Sequence, residues 1–556
     1  LSGQIFVPAM RVASQFVEVD ARRVMLRYAG RGPAVLLLHQ SPQNSRALIP
    51  WIERLAARYS VLAPDTPGFG DSDPLPVAQP TIPDFAAALS ALLDRLGIEK
   101  VLLYGVHTGA VTALRFALDF PSRVAGVVCD GYARFNATER SQLLNGYLPP
   151  FEPEWSGGHL TWLWARMREQ NLFFPWNTPI ASSRILYPAP SAAKLHMEVM
   201  DILDAGDGYR AGYRAPFLYD DASAASRLRV PTRIFYRAED VLAAHLPRLG
   251  ALPPQVEVAK LEGGAVELAD KSDAFFAQYA VGASVIDVEE KVVRAVSARR
   301  RVIATPYGEL VVLLSANGGS FTDGAHVVLG DIGVAARVPV DAPHGTAVVS
   351  VMWPGHGASR GWSAQQVSVA QVAEAVGIAL NTLGVRTFSI SGEGGGAAFA
   401  LALARLTPSR CTGVTLVNPL PLNAAETDTF LRGLPDLTPH DTGAHLLAAW
   451  NWARMSALFW PWLSQTAQNA RKVDAPAPMR LHQDVREILR AGELFAPLWR
   501  AALSINLTDA VEECTVPLRL RCEDMPARVA LVARLIAARD FNEHSKMHSG
   551  ERVWAS

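Results

Sequence analysis

The 556-residue chain contains itself twice, and this repeat limits its fold more than any other feature. A shift of 286 residues lays His159-Leu-Thr-Trp-Leu-Trp164 onto His445-Leu-Leu-Ala-Ala-Trp450 without a gap. The same shift lays Leu172-Phe-Phe-Pro-Trp176 onto Leu458-Phe-Trp-Pro-Trp462, Arg168 onto Arg454 and His196 onto His482. Tryptophan, histidine and proline are scarce, so such a register reads as a tandem duplication of a unit of about 280 residues. At a shift of 287, Asp65-Thr-Pro-Gly-Phe-Gly-Asp-Ser72 meets Met352-Trp-Pro-Gly-His-Gly-Ala-Ser359. Length alone, at roughly 150 residues per domain, allows three or four domains. The repeat reduces this to two, 1–283 and 301–556. The charged stretch 284–300, rich in small residues, is expected to link them, with a short amphipathic helix in its middle.

Half of the chain (49%) is apolar, enough for a large core. Lysine plus arginine number 52 against 53 aspartate plus glutamate, so there is no electrostatic footprint for nucleic acid or an anionic membrane. A small-molecule substrate is the expected partner, with no cofactor and no metal. Four cysteines cannot build a disulfide framework, and none forms a C-x-x-C pair. Cys129 and Cys411 lie in or beside apolar runs, where a thiol behaves as a small hydrophobe. Leu1 to Met10 lack the basic start and apolar stretch of a signal peptide. The apolar run Gly395 to Ala404 is too short to span a bilayer. A soluble, cytoplasmic protein is expected.

Within the first unit, short apolar runs alternate with helical patterns. Ala34–Leu38, Tyr59–Ala63, Val101–Tyr104 and Val124–Cys129 read as buried strands, and Ile82–Leu96 and Ala110–Asp119 as helices. Apolar strands alternating with helices indicate a parallel sheet covered on both faces. Ligands of such sheets bind beyond the carboxyl ends of the strands, where the turns at His39, Asp65, Gly105 and Asp130 fall.

Strand, His-x, strand, Asp-x-Pro-Gly-x-Gly-x-Ser, strand, Gly-x-x-x-Gly and helix together resemble the α/β-hydrolase-fold superfamily. The segment from about 132 to 228, rich in Trp, Tyr and Pro, resembles that family's helical cap, and about 420–510 its second copy. Pro231–Tyr236 followed by Glu239-Asp240 resembles the late strand that delivers the family's acid. The resemblance covers both halves. It implies an α/β fold of two tandem hydrolase-like domains, each a mostly parallel sheet with flanking helices and a cap, the second lacking most of its final helix.

The family centres its nucleophile in Gly-x-Ser-x-Gly, on a strained strand-to-helix turn. The first copy reads Gly105-Val-His107-Thr-Gly109, with histidine in that place, and the second Gly392-Glu-Gly394-Gly-Gly396, with no side chain. The family's base histidine is replaced by Ala265 in Leu261-Glu-Gly-Gly-Ala265. In the second copy His548 falls near the corresponding loop. Neither half spells a Ser-His-Asp triad, and losing nucleophile or base costs a triad enzyme about 10⁶ in turnover. The glycine run at 392–396 has neither a P-loop nor a Rossmann spacing, and reads as an emptied elbow.

What remains in the first copy is His107, with His39 after the strand that supplies an oxyanion donor, and Asp130 and Asp240 at the two strand ends that can deliver a carboxylate. Either carboxylate would orient the ring of His107 and raise its basicity. Histidine could also be a direct nucleophile. The second-copy counterparts are taken as Gly394, Gly330-Asp331, Asn418 and Asp524. Substrate contacts are expected from Gln40, Ser41 and Thr108, and from the cap residues His159, Trp164, Arg168, Trp176 and His196. The cap residues also suit a packing role, with Arg168 one helical turn from Trp164. A metal site at His39, His107 and His159 has no ligand spacing behind it.

These features lead to two expectations. One is a nonstandard hydrolase-fold enzyme working through His107 in domain 1 on a small, fairly apolar carbonyl compound, by hydrolysis or a cofactor-free lyase step. Domain 2 would then be a silent partner in an intrachain pseudo-dimer. The other is a duplicated pseudo-hydrolase that binds a ligand or a protein.

Overall fold

The computed structural model describes residues 11–186, 188–339, 344–523, 525–539, 542–544 and 551–555. Leu1 to Met10, Asp524 and His548 lie outside the described residues. The chain divides into two units: residues up to 152 with 162–297, and 153–161 with 298 onward.

Unit 1 is built on strands β1 (Ala13–Val19), β2 (Arg22–Ala29), β3 (Arg31–Leu38), β4 (Ser60–Pro64), β5 (Val101–Val106), β6 (Val124–Asp130), β7 (Thr232–Arg237), β8 (Val256–Leu261) and β9 (Val285–Asp287). Their order in the sheet is β1-β2-β4-β3-β5-β6-β7-β8, with β9 on β3. From β4 to β8 every pairing is parallel. Successive side chains point to opposite faces of a strand, and both faces here are apolar. Leu36, Leu38 and Leu103 join the core under helices Ile82–Leu96 and Thr108–Asp119. Val35, Leu37, Leu102, Tyr104, Val128 and Phe235 join the core under helices Ile49–Leu55 and Gly264–Tyr279. The expected linker is divided: 284–297 cluster with unit 1, where Val285–Asp287 pairs with β3 and Val288–Val293 forms a short helix, and Arg300 opens the next sheet.

Unit 2 carries β10 (Arg300–Thr305), β11 (Gly308–Ser315), β12 (Ala325–Leu329), β13 (Ala347–Val351), β14 (Phe388–Glu393), β15 (Cys411–Val417), β16 (Leu518–Glu523), β17 (Asn542–His544) and β18 (Glu551–Ala555). The order β10-β11-β13-β12-β14-β15-β16 repeats that of β1 to β7. The edge departs from the repeat: antiparallel β18 and β17 stand where unit 1 has parallel β8. The other departure is a missing layer. The loop between β12 and β13 (330–346) is four residues shorter than that between β3 and β4 (39–59), and no described helix in it matches Ile49–Leu55. The residues in register with the second apolar face of unit 1 are His326, Val328, Ser389, Ser391, Thr415 and Arg521. They are half-exposed, and the His326 ring bonds Ser389 Oγ at 2.9 Å and Ser391 Oγ at 3.0 Å. Where no helix covers the sheet, polar side chains have replaced apolar ones.

Each unit has four helices between its sixth and seventh strands: Ala137–Gly146, Gly158–Gln170, Ala192–Ala205 and Tyr209–Leu218, then Ala424–Arg432, Ala444–Leu458, Pro478–Ala491 and Phe495–Leu503. Details recur at the 286 register. Phe173 bridges Arg184 as Phe459 bridges Ala470. His159 Nδ1 accepts from the Glu154 N–H at 3.1 Å, as His445 Nδ1 does from His440 at 3.2 Å. His159 and His445 thus share a task, closing the turn that precedes their helix.

In unit 1 the cap is tied to the sheet by charge. Arg46 reaches Asp201 at 2.9 Å and Asp204 at 3.1 Å, and Asn44 donates to Asp201 at 2.7 Å. Beneath this, Arg27 pairs with Asp65 at 2.9 Å, and both side chains are almost wholly enclosed. Asp65 also accepts from the N–H groups of Ser45 and Asp71, each at 2.9 Å, so it holds two loops of the site rim together. Breaking a buried pair strands the remaining charge, at a cost of about 3–5 kcal/mol. Arg27→Met should therefore lower stability by about that amount in urea unfolding, and a loss under 1 kcal/mol would contradict it.

Candidate active site

The elbow forms because glycines permit close approach. A Cβ on Gly105 would lie 2.3 Å from Gly109 O, and one on Gly109 would lie 2.3 Å from Leu38 O. These contacts press strand β5, the helix Thr108–Asp119 and strand β3 together. The residue between, His107, is held at φ 48° in the left-handed region, with its N–H donating to Asp130 O at 2.9 Å. A non-glycine residue there stores about 1–3 kcal/mol of backbone strain. In return its side chain projects from the carboxyl edge of the sheet.

The carboxylate that meets it is Asp240, whose Oδ2 lies 2.7 Å from His107 Nε2. Asp240 Oδ1 accepts the Leu242 N–H at 2.8 Å, which fixes the carboxylate plane. Asp130, the other candidate, receives the Tyr104 hydroxyl at 3.1 Å and Arg237 Nε at 3.3 Å. Arg237 reaches Asp240 Oδ2 as well, at 3.4 Å. The centre thus holds two carboxylates, one guanidinium and one imidazole. Sequence reasoning did not single out Arg237, because nothing in its spacing marks it. Gly131 was missed for a different reason, since its importance is steric. With φ 69°, a Cβ there would sit 2.6 Å from His107 Cδ2 and 3.0 Å from Asp240 Oδ2.

The electrostatics follow from this arrangement. Burial alone would lower the pKa of His107, but Asp240, and then Asp130, overcome it and raise it. Burial opposes the charge of Asp240, yet the His107 ring and the Leu242 N–H hold its carboxyl below the usual range. Asp130 is pushed up by burial, against the pull of Arg237 and His107.

His107 lines a cavity of about 350 Å³ within unit 1. Gln40, Ser41, Thr108, Arg237 and Asp240 share its floor, and Phe135, Tyr147, Phe174, Tyr213 and Phe217 give it aromatic walls. The expected contacts Gln40, Ser41 and Thr108 are therefore brought to His107. Ala265, at the family's histidine position, lines a second cavity of about 310 Å³ with Tyr104, Asp130 and Arg237.

Other expected residues are placed elsewhere. His39 is buried, its Nε2 accepts from the Thr66 N–H at 2.8 Å and its Nδ1 bonds Gln40 O at 3.0 Å. Both ring nitrogens are committed to backbone and burial lowers its pKa, so in this structure the His39 ring ties Gln40 to Thr66. His159 clusters with unit 2, where it packs edge-on to Trp450 at 4.7 Å. Trp164 is buried in the cap, and His196 is largely enclosed, its pKa lowered to about 4. Neither lines the His107 cavity. Arg168 is exposed and pairs with Glu169 at 3.2 Å instead of stacking on Trp164. The stacked cation is Arg166, buried 5.2 Å from the ring centre of Trp176, while Trp176 Nε1 donates to Tyr147 O at 3.0 Å. Trp176 thus supports the wall residue Tyr147 from behind.

The second-copy counterparts also need correction. His107 donates to Asp130 O as Gly394 donates to Val417 O, so Val417 takes the place of Asp130. Asn418, at φ 46°, then corresponds to Gly131, and Glu523 to Arg237.

Comparison with known proteins places the chain in a family. A model of the alpha/beta hydrolase fold matches residues 33–257 and 311–442. The chain belongs to the α/β-hydrolase-fold family, in two tandem units. It is 36% identical over 111 residues to an uncharacterised hydrolase of Saccharomyces cerevisiae, covering 20% of this chain and 38% of that one. It is 34% identical over 130 residues to a 2-hydroxy-6-oxo-6-phenylhexa-2,4-dienoate hydrolase of Burkholderia cepacia, covering 21% and 44%. The chain thus spans less than half the length of these curated relatives. Among solved structures, an epoxide hydrolase of Vigna radiata aligns at TM-score 0.39 with 18% identity, over 48% of this chain and 98% of that one. Among the described residues no helix is long and apolar enough to cross a membrane.

The His107–Asp240 contact is testable without a substrate. Asp240→Asn removes the charge that raises the ring's pKa and leaves burial to lower it. The NMR titration midpoint of His107 should fall. An unchanged midpoint would remove Asp240 as its partner.

Proposed function

We propose that unit 1 is a hydrolase acting on a small, fairly apolar carbonyl compound, with His107 as general base and Asp240 as its orienting partner. The observation that carries this reading is the 2.7 Å contact between Nε2 and Asp240, made by a histidine on the elbow and lining a largely aromatic cavity. With Nε2–H donating to Asp240, Nδ1 carries the lone pair. It takes a proton from water as the water oxygen bonds to the carbonyl carbon. The carbonyl π pair moves to oxygen, where backbone N–H groups near Gln40 and Thr108 stabilise it. When that pair returns, the bond to the leaving group breaks, and the leaving group receives the proton from Nδ1. A proton taken instead from a carbon acid would give a cofactor-free lyase step with the same residues.

Relatives bearing hydrolase names support the hydrolytic class. The name of one describes a phenyl ketone that is also a carboxylate, a size and polarity that suit the aromatic walls and Arg237. Unit 2 has glycine at the elbow and, in this reading, performs no chemistry.

His107→Ala should lower kcat/KM on an ester or diketone substrate by about 10² to 10⁴. Unchanged turnover would refute the assignment. A melting temperature raised by a ligand, without any turnover, would favour the binding module. The base must be neutral to act, and its pKa is raised above 6.5. The rate should therefore climb with pH to a midpoint above 6.5, whereas a falling limb there would point to His107 acting as an acid.

A further inference from the structure

Unit 2 retains the scaffold of the elbow although it lacks the side chain. A Cβ on Gly392 would meet Gly396 O at 2.6 Å, and one on Gly396 would meet Leu329 O at 2.5 Å, the same close approaches that shape the turn at His107. Gly394 keeps the left-handed conformation, at φ 54°. The donors are kept too. The N–H of Gly395, which corresponds to Thr108, and the N–H of Ile332, which corresponds to Ser41 in strand register, each lie 2.9 Å from one oxygen atom. That oxygen is Oδ1 of Asp331, the counterpart of Gln40.

The carboxylate stands in the volume that an elbow side chain would enter. A Cβ on Gly394 would lie 2.2 Å from Asp331 Oδ1 and 2.4 Å from its Cγ. Glycine at 394 and aspartate at 331 are therefore sterically linked, since any side chain at the elbow would expel the carboxylate. The surrounding space is also filled. Trp499, in the register of the cavity-lining Tyr213, comes within 2.9 Å of a Cβ built on Gly395, and Ile332 within 2.8 Å. Trp499 is buried. With Oδ1 held by both N–H groups and lying against Gly394, the carboxylate acts as a plug of this turn.

We propose that Asp331 is a built-in ligand of the unit 2 anion hole, and that removing its side chain uncovers a site for a small carboxylate such as formate or acetate. The two N–H groups would then face an empty volume of carboxylate size, lined by donors with no acceptor. Burial pushes the Asp331 carboxyl up to about 6, against the Gly395 N–H, the charge of Arg528 and the Ile332 N–H, which pull it down. Formate would supply the same oxygen from solution.

This inference goes beyond the assignment of His107, and it is read by stability and exchange, not by turnover. In the full chain, Asp331→Ala should melt lower than the native protein, and 100 mM formate should restore about 3 °C or more relative to equal chloride. The native protein and Asp331→Asn, whose amide oxygen still accepts both bonds, should respond to formate no more than to chloride. Gly394→Ala, whose methyl group would itself stand in the place of that oxygen, should respond to formate no more than to chloride. Equal formate and chloride responses in Asp331→Ala would overturn the proposal. Should that variant fail to fold, hydrogen exchange in the native protein decides: the Gly395 and Ile332 amides should be protected, and exchange at open-loop rates would overturn the plug.

Discussion

The turn that carries residue 107 has to place a side chain at the carboxyl edge of a sheet while its own backbone sits in a conformation L residues avoid. Glycines pay for this twice, at 105 and 109, by letting β5, β3 and the following helix touch through backbone atoms. The His107 N–H is anchored on Asp130 O, so strand β6 holds the turn as firmly as β5 does. Gly131 then bends away at φ 69° and leaves space for the imidazole to reach Asp240. Each of these contacts is set by backbone geometry. The chemistry of the residue at 107 is therefore free to change without loss of the fold, and the two units differ there while sharing the glycine contacts that shape the turn.

Once the turn is fixed, charge decides what the side chain can do. A histidine beside one carboxylate would be a simple dyad. Here Asp130 and Asp240 both act on it, and Arg237 bridges the two at 3.3 and 3.4 Å. The guanidinium lets two carboxylates coexist in a buried space, and it tempers the rise in the pKa of His107. Without Arg237 the pair would resemble two like charges sharing a site, which raises one pKa strongly. Its counterpart in unit 2 is Glu523, so the balance of charge that supports a base was not repeated there.

Much of this was legible in the sequence, for identifiable reasons. The repeat, the parallel strands and the elbow glycines are properties of local runs, and periodicity reports them. The dyad was half legible: Asp130 and Asp240 both lie at strand ends, and choosing between them depends on where the chain goes after β7, through residues held by Leu242 and Arg237. His39 looked catalytic because its strand ends at the site, but its ring is spent on two backbone groups that sequence does not display. The cap misled in a similar way. Arg168 has the right spacing to meet Trp164, whereas the buried cation is Arg166, which turns to the far side of the helix and stacks on Trp176. Asp331 was legible as a position and not as a role: β3 and β12 align at a shift of 291 while their neighbours β4 and β13 align at 287, and sequence does not display the two N–H groups that its carboxylate meets.

The two units show how a layered fold tolerates loss. In unit 1 the second face of the sheet is a row of Val, Leu, Tyr and Phe side chains that need helices over them. In unit 2 those positions carry Ser389, Ser391, Thr415, His326 and Arg521, and no described helix covers them. An apolar sheet face left bare would invite association, and hydroxyl and charged side chains remove that drive. The first face, under helices Val369–Thr382 and Gly396–Leu406, stayed apolar, with Val327, Ile390 and Leu416 buried. The elbow belongs to this retained layer, because its helix begins there. Its glycines and N–H donors persisted for the sake of the packing they enforce, and two buried donors without an acceptor would have been costly. Asp331 supplies the acceptor, which explains why a unit with no elbow side chain still has an intact, occupied anion hole.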